Sequence, residues 1–189
     1  MYLITIVGGT GQGKSHFLNS NFLKNKISPV PSPMGKRDNY FISAESKRQY
    51  IFDINNEYVF PDDRNGMRFQ QIRHIDADQK RFISNCNAIQ NTNIVYEDAS
   101  GFLRGKQSDE LIRLIVKRRH VGNNWFLLFH SVNRVPPEIM EYTNYIVLFR
   151  TGDNLKDIQQ KFSNEKLDSI FNEINNSPKS KRFVIQKLL

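Results

Sequence analysis

With 189 residues, 39% of them apolar and 12% aromatic, the chain is long enough to bury one core and too hydrophobic for intrinsic disorder. It carries 27 Lys and Arg against 19 Asp and Glu, a formal charge of +8 that favours contact with polyanions and equally fits a protein that its charge merely keeps soluble. The longest apolar runs, 125–129 and 145–149, fall far short of the roughly 18 residues that a membrane-spanning helix requires. The lone Cys86 excludes an internal disulfide and, with four scattered histidines, offers no zinc spacing, so a reducing cytoplasm is the expected home.

In chain order, residues 2–7 form a short apolar strand that runs directly into a glycine cluster, which is not the pattern of a secretory signal. A helix is expected over 15–24. An exposed loop follows at 28–35, where Pro29, Pro31, Pro33 and Gly35 forbid a helix interior. Further strands are expected at 50–54, 67–75, 93–96, 125–129 and 145–149, with a turn-rich stretch at 61–66. Helical spacing appears at 78–89, 109–120 and 137–142. From residue 163 a short helix carries Leu167, Ile170, Phe171 and Ile174 on one face, ahead of a basic run at 179–182. Strands apolar on both faces, alternating with helices, predict an α/β fold: a single domain over 1–189 with a mainly parallel sheet flanked by helices, and 163–189 as a basic C-terminal helix and tail.

Gly8-Gly9-Thr10-Gly11-Gln12-Gly13-Lys14-Ser15 reads G-x-x-x-x-G-K-S between a predicted strand and a predicted helix, the context in which this pattern is a phosphate-binding loop. The glycines let several backbone N–H groups turn inward to cradle phosphates. Lys14 would reach the β- and γ-phosphates of ATP, the Ser15 hydroxyl would coordinate Mg²⁺, and His16 completes the expected nucleotide-binding set.

A second anchor for Mg²⁺ and a base for the attacking water are expected at the end of another buried strand. Residues 93–96 lead into Glu97 and Asp98. Adjacent strand residues point to opposite faces, so the two carboxylates cannot face the metal in the same way. Glu97 is assigned to the magnesium side and Asp98 to the water, with Asp53, which also ends an apolar strand, as the competing metal ligand.

Phe52-Asp53-Ile54-Asn55-Asn56-Glu57-Tyr58 resembles the D-x-x-x-E-Y segment of HerA-type ATPases. Arg118-Arg119-His120-Val121-Gly122, followed by an apolar strand and His130, resembles the R-H-x-G, strand, polar-sensor segment of the HerA–FtsK superfamily. That superfamily includes viral genome-packaging ATPases and the ATPase domain of Zot-like phage assembly proteins, and the resemblance spans about residues 1–151. It implies an additional-strand, RecA-like P-loop NTPase that hydrolyses ATP in a homo-oligomeric ring and moves or packages DNA. A neighbouring subunit would contribute an arginine, first Arg119, with Arg118, Arg134 and Arg150 as the other candidates.

Two departures stand out: the usual Asp-then-Glu order is reversed in Glu97-Asp98, and His130 stands where the family has Gln. The implied partners are DNA, met by Lys106, Arg113, Lys117, Arg118, Arg119 and the basic tail, and a capsid, portal or membrane assembly in the host cytoplasm. Residues 99–107, flexible and basic, could line a central pore or form a surface connection. The alternatives are a Zot-like assembly or secretion ATPase, a small nucleotide kinase, which would need a closing lid that the 29–35 loop is easily misread as, or a nucleotide-dependent clamp that hydrolyses little. A GTPase is disfavoured because Asn25-Lys26-Ile27-Ser28 lacks the Asp that reads guanine.

Overall fold

The computed structural model of the chain describes residues 1–18, 48–53, 69–72, 76–102, 106–178 and 183–189. The proline-rich segment, the turn at 61–66, the part of the D-x-x-x-E-Y segment beyond Asp53, and the basic run 179–182 lie outside the described residues.

Each apolar run expected to be a strand contains one among the described residues: β1 (Leu3–Val7), β2 (Arg48–Phe52), β3 (Phe69–Ile72), β4 (Thr92–Tyr96), β5 (Asn124–Phe129) and β6 (Tyr145–Phe149). A seventh, β7 (Phe183–Lys187), closes one side. The order is β3-β2-β4-β5-β1-β6-β7, with β1 to β6 parallel and β7 antiparallel to β6. β5 therefore lies between β1, which leads into the glycine loop, and β4, which leads into the acidic pair; it is the additional strand that the resemblance implied.

The helices are α1 (Lys14–Leu18), α2 (Asp76–Cys86), α3 (Ala99–Phe102), α4 (Lys106–Val121), α5 (Pro137–Tyr142), α6 (Leu155–Lys161) and α7 (Glu165–Asn176). β1, β4 and β5 are buried along their whole length, as strands covered on both faces must be. Alternate residues feed two cores. Leu3, Val7, Trp125, Leu127 and Phe129 join the buried faces of α2, α4, α5, α6 and α7, while Ile4, Ile6, Phe126 and Leu128 meet Phe17 and Leu18 of α1. Leu167, Ile170, Phe171 and Ile174 are all buried, as their spacing predicted. Asn164 caps α7 by accepting from the N–H groups of Lys166 and Leu167 at 3.1 and 3.2 Å.

Two elements depart from expectation. Residues 99–107, read as a pore loop or surface connection, begin with α3, and α4 starts at Lys106. The tail is more than a helix with a basic run, because its last residues pair as β7; Leu188 N–H also donates to Asn144 O at 2.8 Å.

The amino ends of the parallel strands are tied by buried amides. Asn124 Oδ1 accepts from Tyr2 N–H and Asn144 Oδ1 from Leu3 N–H, each at 2.9 Å, and Asn123 Oδ1 accepts from Thr92 N–H at 3.0 Å. Arg118, only 3% exposed, donates to Ile115 O, Tyr142 O and Asn144 Oδ1 at 2.8, 3.2 and 3.0 Å. These bonds fix strand register and leave the opposite edge of the sheet for chemistry.

Candidate nucleotide site

Ligand sites in open parallel sheets form at the carboxyl ends of the strands. There Gly8 N–H donates to Phe129 O and Gly9 N–H to Arg150 O, each at 3.0 Å, so the loop leaving β1 is slung between the ends of its two neighbouring strands. Gly13 has φ +89°, a left-handed conformation that glycine adopts without penalty, and its carbonyl accepts from Phe17 N–H at 2.8 Å as α1 begins.

Lys14 is buried, and its Nζ donates to the carbonyls of Gly8 and Gly9 at 2.7 and 3.1 Å. Ser15 Oγ donates to Glu97 Oε1 at 2.6 Å. Glu97 is 4% exposed, so this hydroxyl–carboxylate contact is nearly closed to solvent. Asp53 is also buried, but it follows β2, one strand farther from the loop than β4, and is not part of the cavity wall. Two hard oxygen donors side by side, from a hydroxyl and a carboxylate, fit the way Mg²⁺ is held beside substrate phosphates.

Both carboxylates of the acidic pair reach one cavity, and strand alternation is not what places them there. Strand alternation would send Glu97 and Asp98 to opposite faces, but both line the same cavity. β4 stops at Tyr96, which pairs with Leu127, and Asp98 takes φ +48°. Asp is among the few residues that tolerate this left-handed backbone, and the turn brings its carboxylate round to the site.

His130, the residue after β5, joins the two halves. Its Nε2 lies 3.0 Å from Asp98 Oδ1 and its Nδ1 3.5 Å from Lys14 Nζ. An ammonium can only donate, so Nδ1 faces it as an acceptor and the imidazole proton belongs on Nε2, the ring nitrogen nearer Asp98. Its backbone N–H donates to Ser100 Oγ of α3 at 2.9 Å.

The cavity enclosed by these groups has a volume of about 250 Å³ and is walled by Thr10, Gly11, Gly13, Lys14, Ser15, His16, Glu97, Asp98, Leu128 and His130. Gly8, Gly9 and Gln12 belong to the frame of the loop instead of this wall; Gln12 N–H donates to Gly9 O at 3.3 Å. A larger open groove of about 840 Å³ runs along α4 beside Asn87, lined by Asp109, Glu110, Arg113 and Lys117 among others. It has no glycine loop and no buried cation, so the smaller cavity is the better phosphate site.

The arginines separate. Arg118 cannot serve a neighbour or DNA, because its guanidinium is consumed inside the protein, and burial, then the charge of Arg119, lowers its pKa. Arg119 is exposed in the last turn of α4, beside the amino ends of the strands and on the reverse side from its own loop. Gly122 explains the end of that helix: its φ is +76°, and a Cβ there would come within 2.1 Å of Asn91 Oδ1. Arg134 is exposed on a 3₁₀ turn (Val132–Arg134) just past β5, whereas Arg150 donates to Ser177 O and Pro178 O at 2.6 and 2.8 Å.

Sequence reasoning missed Ser100 and Asp153. Asp153, in the connection after β6, accepts from Ser131 Oγ at 2.5 Å and Val132 N–H at 2.7 Å. The available signal was position: both residues follow the carboxyl ends of parallel strands.

No protein-family profile matches the sequence, and no curated protein matches it. Solved structures do match. The DNA-packaging ATPase B204 from Sulfolobus turreted icosahedral virus is 17% identical over 99% of this chain and 92% of its own, with a TM-score of 0.68. The two chains share a fold. The genome-packaging NTPase B204 from Sulfolobus turreted icosahedral virus 2, in complex with ATP-γS, is 16% identical over 100% of this chain and 98% of its own, with a TM-score of 0.65. The cytoplasmic domain of EssC matches 75% of this chain and 29% of its own at 18% identity and a TM-score of 0.50. The resemblance to viral genome-packaging ATPases carried by the sequence motifs and the likeness of the fold agree.

Proposed function

We propose that the chain is a Mg²⁺-dependent ATPase that translocates or packages DNA as a homo-oligomeric ring, in the genome packaging of a virus or mobile element. The observation that carries the reading is the Ser15–Glu97 contact of 2.6 Å beside a buried Lys14, within one cavity shared by Asp98 and His130.

In this mechanism the loop N–H groups and Lys14 hold the β- and γ-phosphates of ATP. Mg²⁺, held by Ser15 and Glu97, would supply charge neutralisation across those phosphates. Asp98 accepts a proton from the attacking water as its oxygen bonds to the γ-phosphorus and the bond to the β–γ bridging oxygen breaks, leaving ADP and phosphate. His130 orients the Asp98 carboxylate from one ring nitrogen and faces Lys14 with the other.

A ring is supported by the separation of Arg119 from its own site. A head-to-tail ring that set the loop edge of one copy against the reverse edge of the next would bring the exposed Arg119 to the neighbour's site. DNA as the polymer is supported by the charge of +8 and by the packaging role named for B204. Docking at a capsid or portal in the host cytoplasm follows from the same reading. Among the described residues no helix is long and apolar enough to cross a membrane.

The test is the ATP hydrolysis rate with and without single- and double-stranded DNA, at low and moderate salt and in the presence of EDTA, beside the oligomeric mass. Stimulation by DNA that salt weakens, loss in EDTA and a ring-sized mass are expected. Hydrolysis indifferent to DNA, or phosphate transfer to a nucleoside monophosphate, would turn the reading to an assembly ATPase or a kinase. An Asp98→Asn protein as fast as the parent would remove Asp98 as the base.

A further inference from the structure

We propose that Asp153 is a positioning residue for His130, acting across the loop strand to hold the end of β5 in register with the site; the inference rests on the ATPase reading. β5 and β6 flank β1 on either side. Asp153 follows β6, yet both of its carboxylate oxygens are taken by the two residues after His130: Oδ1 by the Ser131 hydroxyl at 2.5 Å and Oδ2 by Val132 N–H at 2.7 Å. Bonds to an ionised carboxylate at these lengths are among the stronger ones a protein makes.

The geometry closes a circuit. Gly8 N–H reaches the last carbonyl of β5, Gly9 N–H reaches Arg150 O at the end of β6, and Asp153 ties the chain beyond β6 back to the chain beyond β5. The glycine loop passes through that circuit, so the position of His130 relative to Lys14 depends on it. Ser131, at the amino end of the 3₁₀ turn, makes no capping bond to its own turn. Val132 N–H is instead satisfied by Asp153, and Lys161 Nζ donates to Asn133 O at 2.5 Å within the same turn. With Ser100 on its backbone N–H and Asp153 on the next two residues, His130 is gripped from both sides of β5 while its ring bridges Asp98 and Lys14. Displacements of about 1 Å at a reacting group lower rates by roughly 10²-fold, which sets the scale of the effect.

The experiment uses the full chain with Asp153→Ala and Asp153→Asn, each in the parent and in a His130→Ala background. It reads kcat, KM, the affinity for a fluorescent ATP analogue, and the melting temperature, with rates taken well below melting. Asp153→Ala should lower kcat by about 10- to 100-fold while KM and analogue affinity move less than about threefold. Asp153→Asn keeps an oxygen for Val132 N–H and should recover most of that loss. In the His130→Ala background, Asp153→Ala should change kcat by less than about twofold, because a residue acting through His130 has nothing left to act through. Equal losses in both backgrounds, an unchanged kcat in Asp153→Ala, or a fall in affinity matching the fall in kcat would overturn the proposal. A parent that hydrolyses no ATP defeats the ATPase reading instead. The imidazole ¹⁵N shifts of His130, compared between the parent and Asp153→Ala, then decide the positioning role alone, and unchanged shifts reject it.

Discussion

The two edges of the parallel sheet use similar polar chemistry for opposite ends. At the amino edge Asn123, Asn124, Asn144 and Arg118 are each at most 6% exposed, and their bonds run to backbone groups of the strands, helices and connections around them or to other buried amides. At the carboxyl edge the side chains of His130 and Asp98 remain 41% and 30% exposed, and they meet each other, Lys14 and a cavity. Polar groups satisfied internally hold register, whereas polar groups left facing a cavity are free to exchange partners with a substrate. The left-handed backbone of Asp98 belongs to the second class: a conformation that few residues tolerate is placed where a side chain must be aimed.

The largest expected effects bring the two edges together. Lys14→Ala and Arg119→Ala should each reduce ATP hydrolysis by about 10³-fold with melting temperatures near that of the parent. If the edges meet between copies, mixing the two inactive proteins restores roughly a quarter of the parental rate, since one contact in four then pairs an intact site with an intact arginine. No recovery on mixing, with rings formed, would separate Arg119 from catalysis.

The next effect isolates the amino edge. Asn144→Ala removes the acceptor shared by Leu3 N–H and Arg118, leaving a buried charge and a buried donor without it, and should cost about 2–3 kcal/mol in urea unfolding. Hydrolysis per folded molecule should stay within about twofold of the parent, because the residue lies at the far end of the strands. A large loss of turnover without loss of stability would break the division between the edges.

The smallest effect concerns the core beneath β2 and β4. Burial pushes the Cys86 thiol and the Tyr96 phenol well up, and raises Tyr50 as well. The unfolded chain releases these protons first as pH rises, beginning near the ordinary thiol value of 9.0, so it binds fewer protons than the folded chain and stability falls. Urea midpoints should therefore drop between pH 8 and pH 10, with a limiting slope of about 1.4 kcal/mol per pH unit for each group. Cys86→Ala should flatten the first part of that slope, and in the folded parent Cys86 should resist thiol reagents.

Much of the carboxyl edge was legible because its chemistry demands residue types at fixed spacing. The G-x-x-x-x-G-K-S run, the Glu97-Asp98 pair and His130 all lie along one cavity, and the apolar runs located six strands. What escaped depends on tertiary position. β7 has only a short alternating pattern beside a basic run, α3 is a single turn formed around the reversal at Asp98, and α6 has one fully buried apolar residue, Ile158. The buried asparagines and Asp153 look like ordinary loop residues until the strands they join are known. Arg118 and Arg119 are adjacent and identical in kind, and only packing sends one inward and leaves the other outward.

The central place of β1 also governs how the chain must assemble. Its bonds to the start of β5 and of β6 span 122 and 141 residues of sequence. Because β1 precedes both partners in the chain, it waits during synthesis, apolar and unpaired by them, until the 122 and 141 residues that separate these bonded positions have been made. Such long-range closure makes folding slow and leaves Leu3-Ile4-Thr5-Ile6-Val7 open to self-association in the interval, so the growing chain is most vulnerable at the strand that ends up best protected.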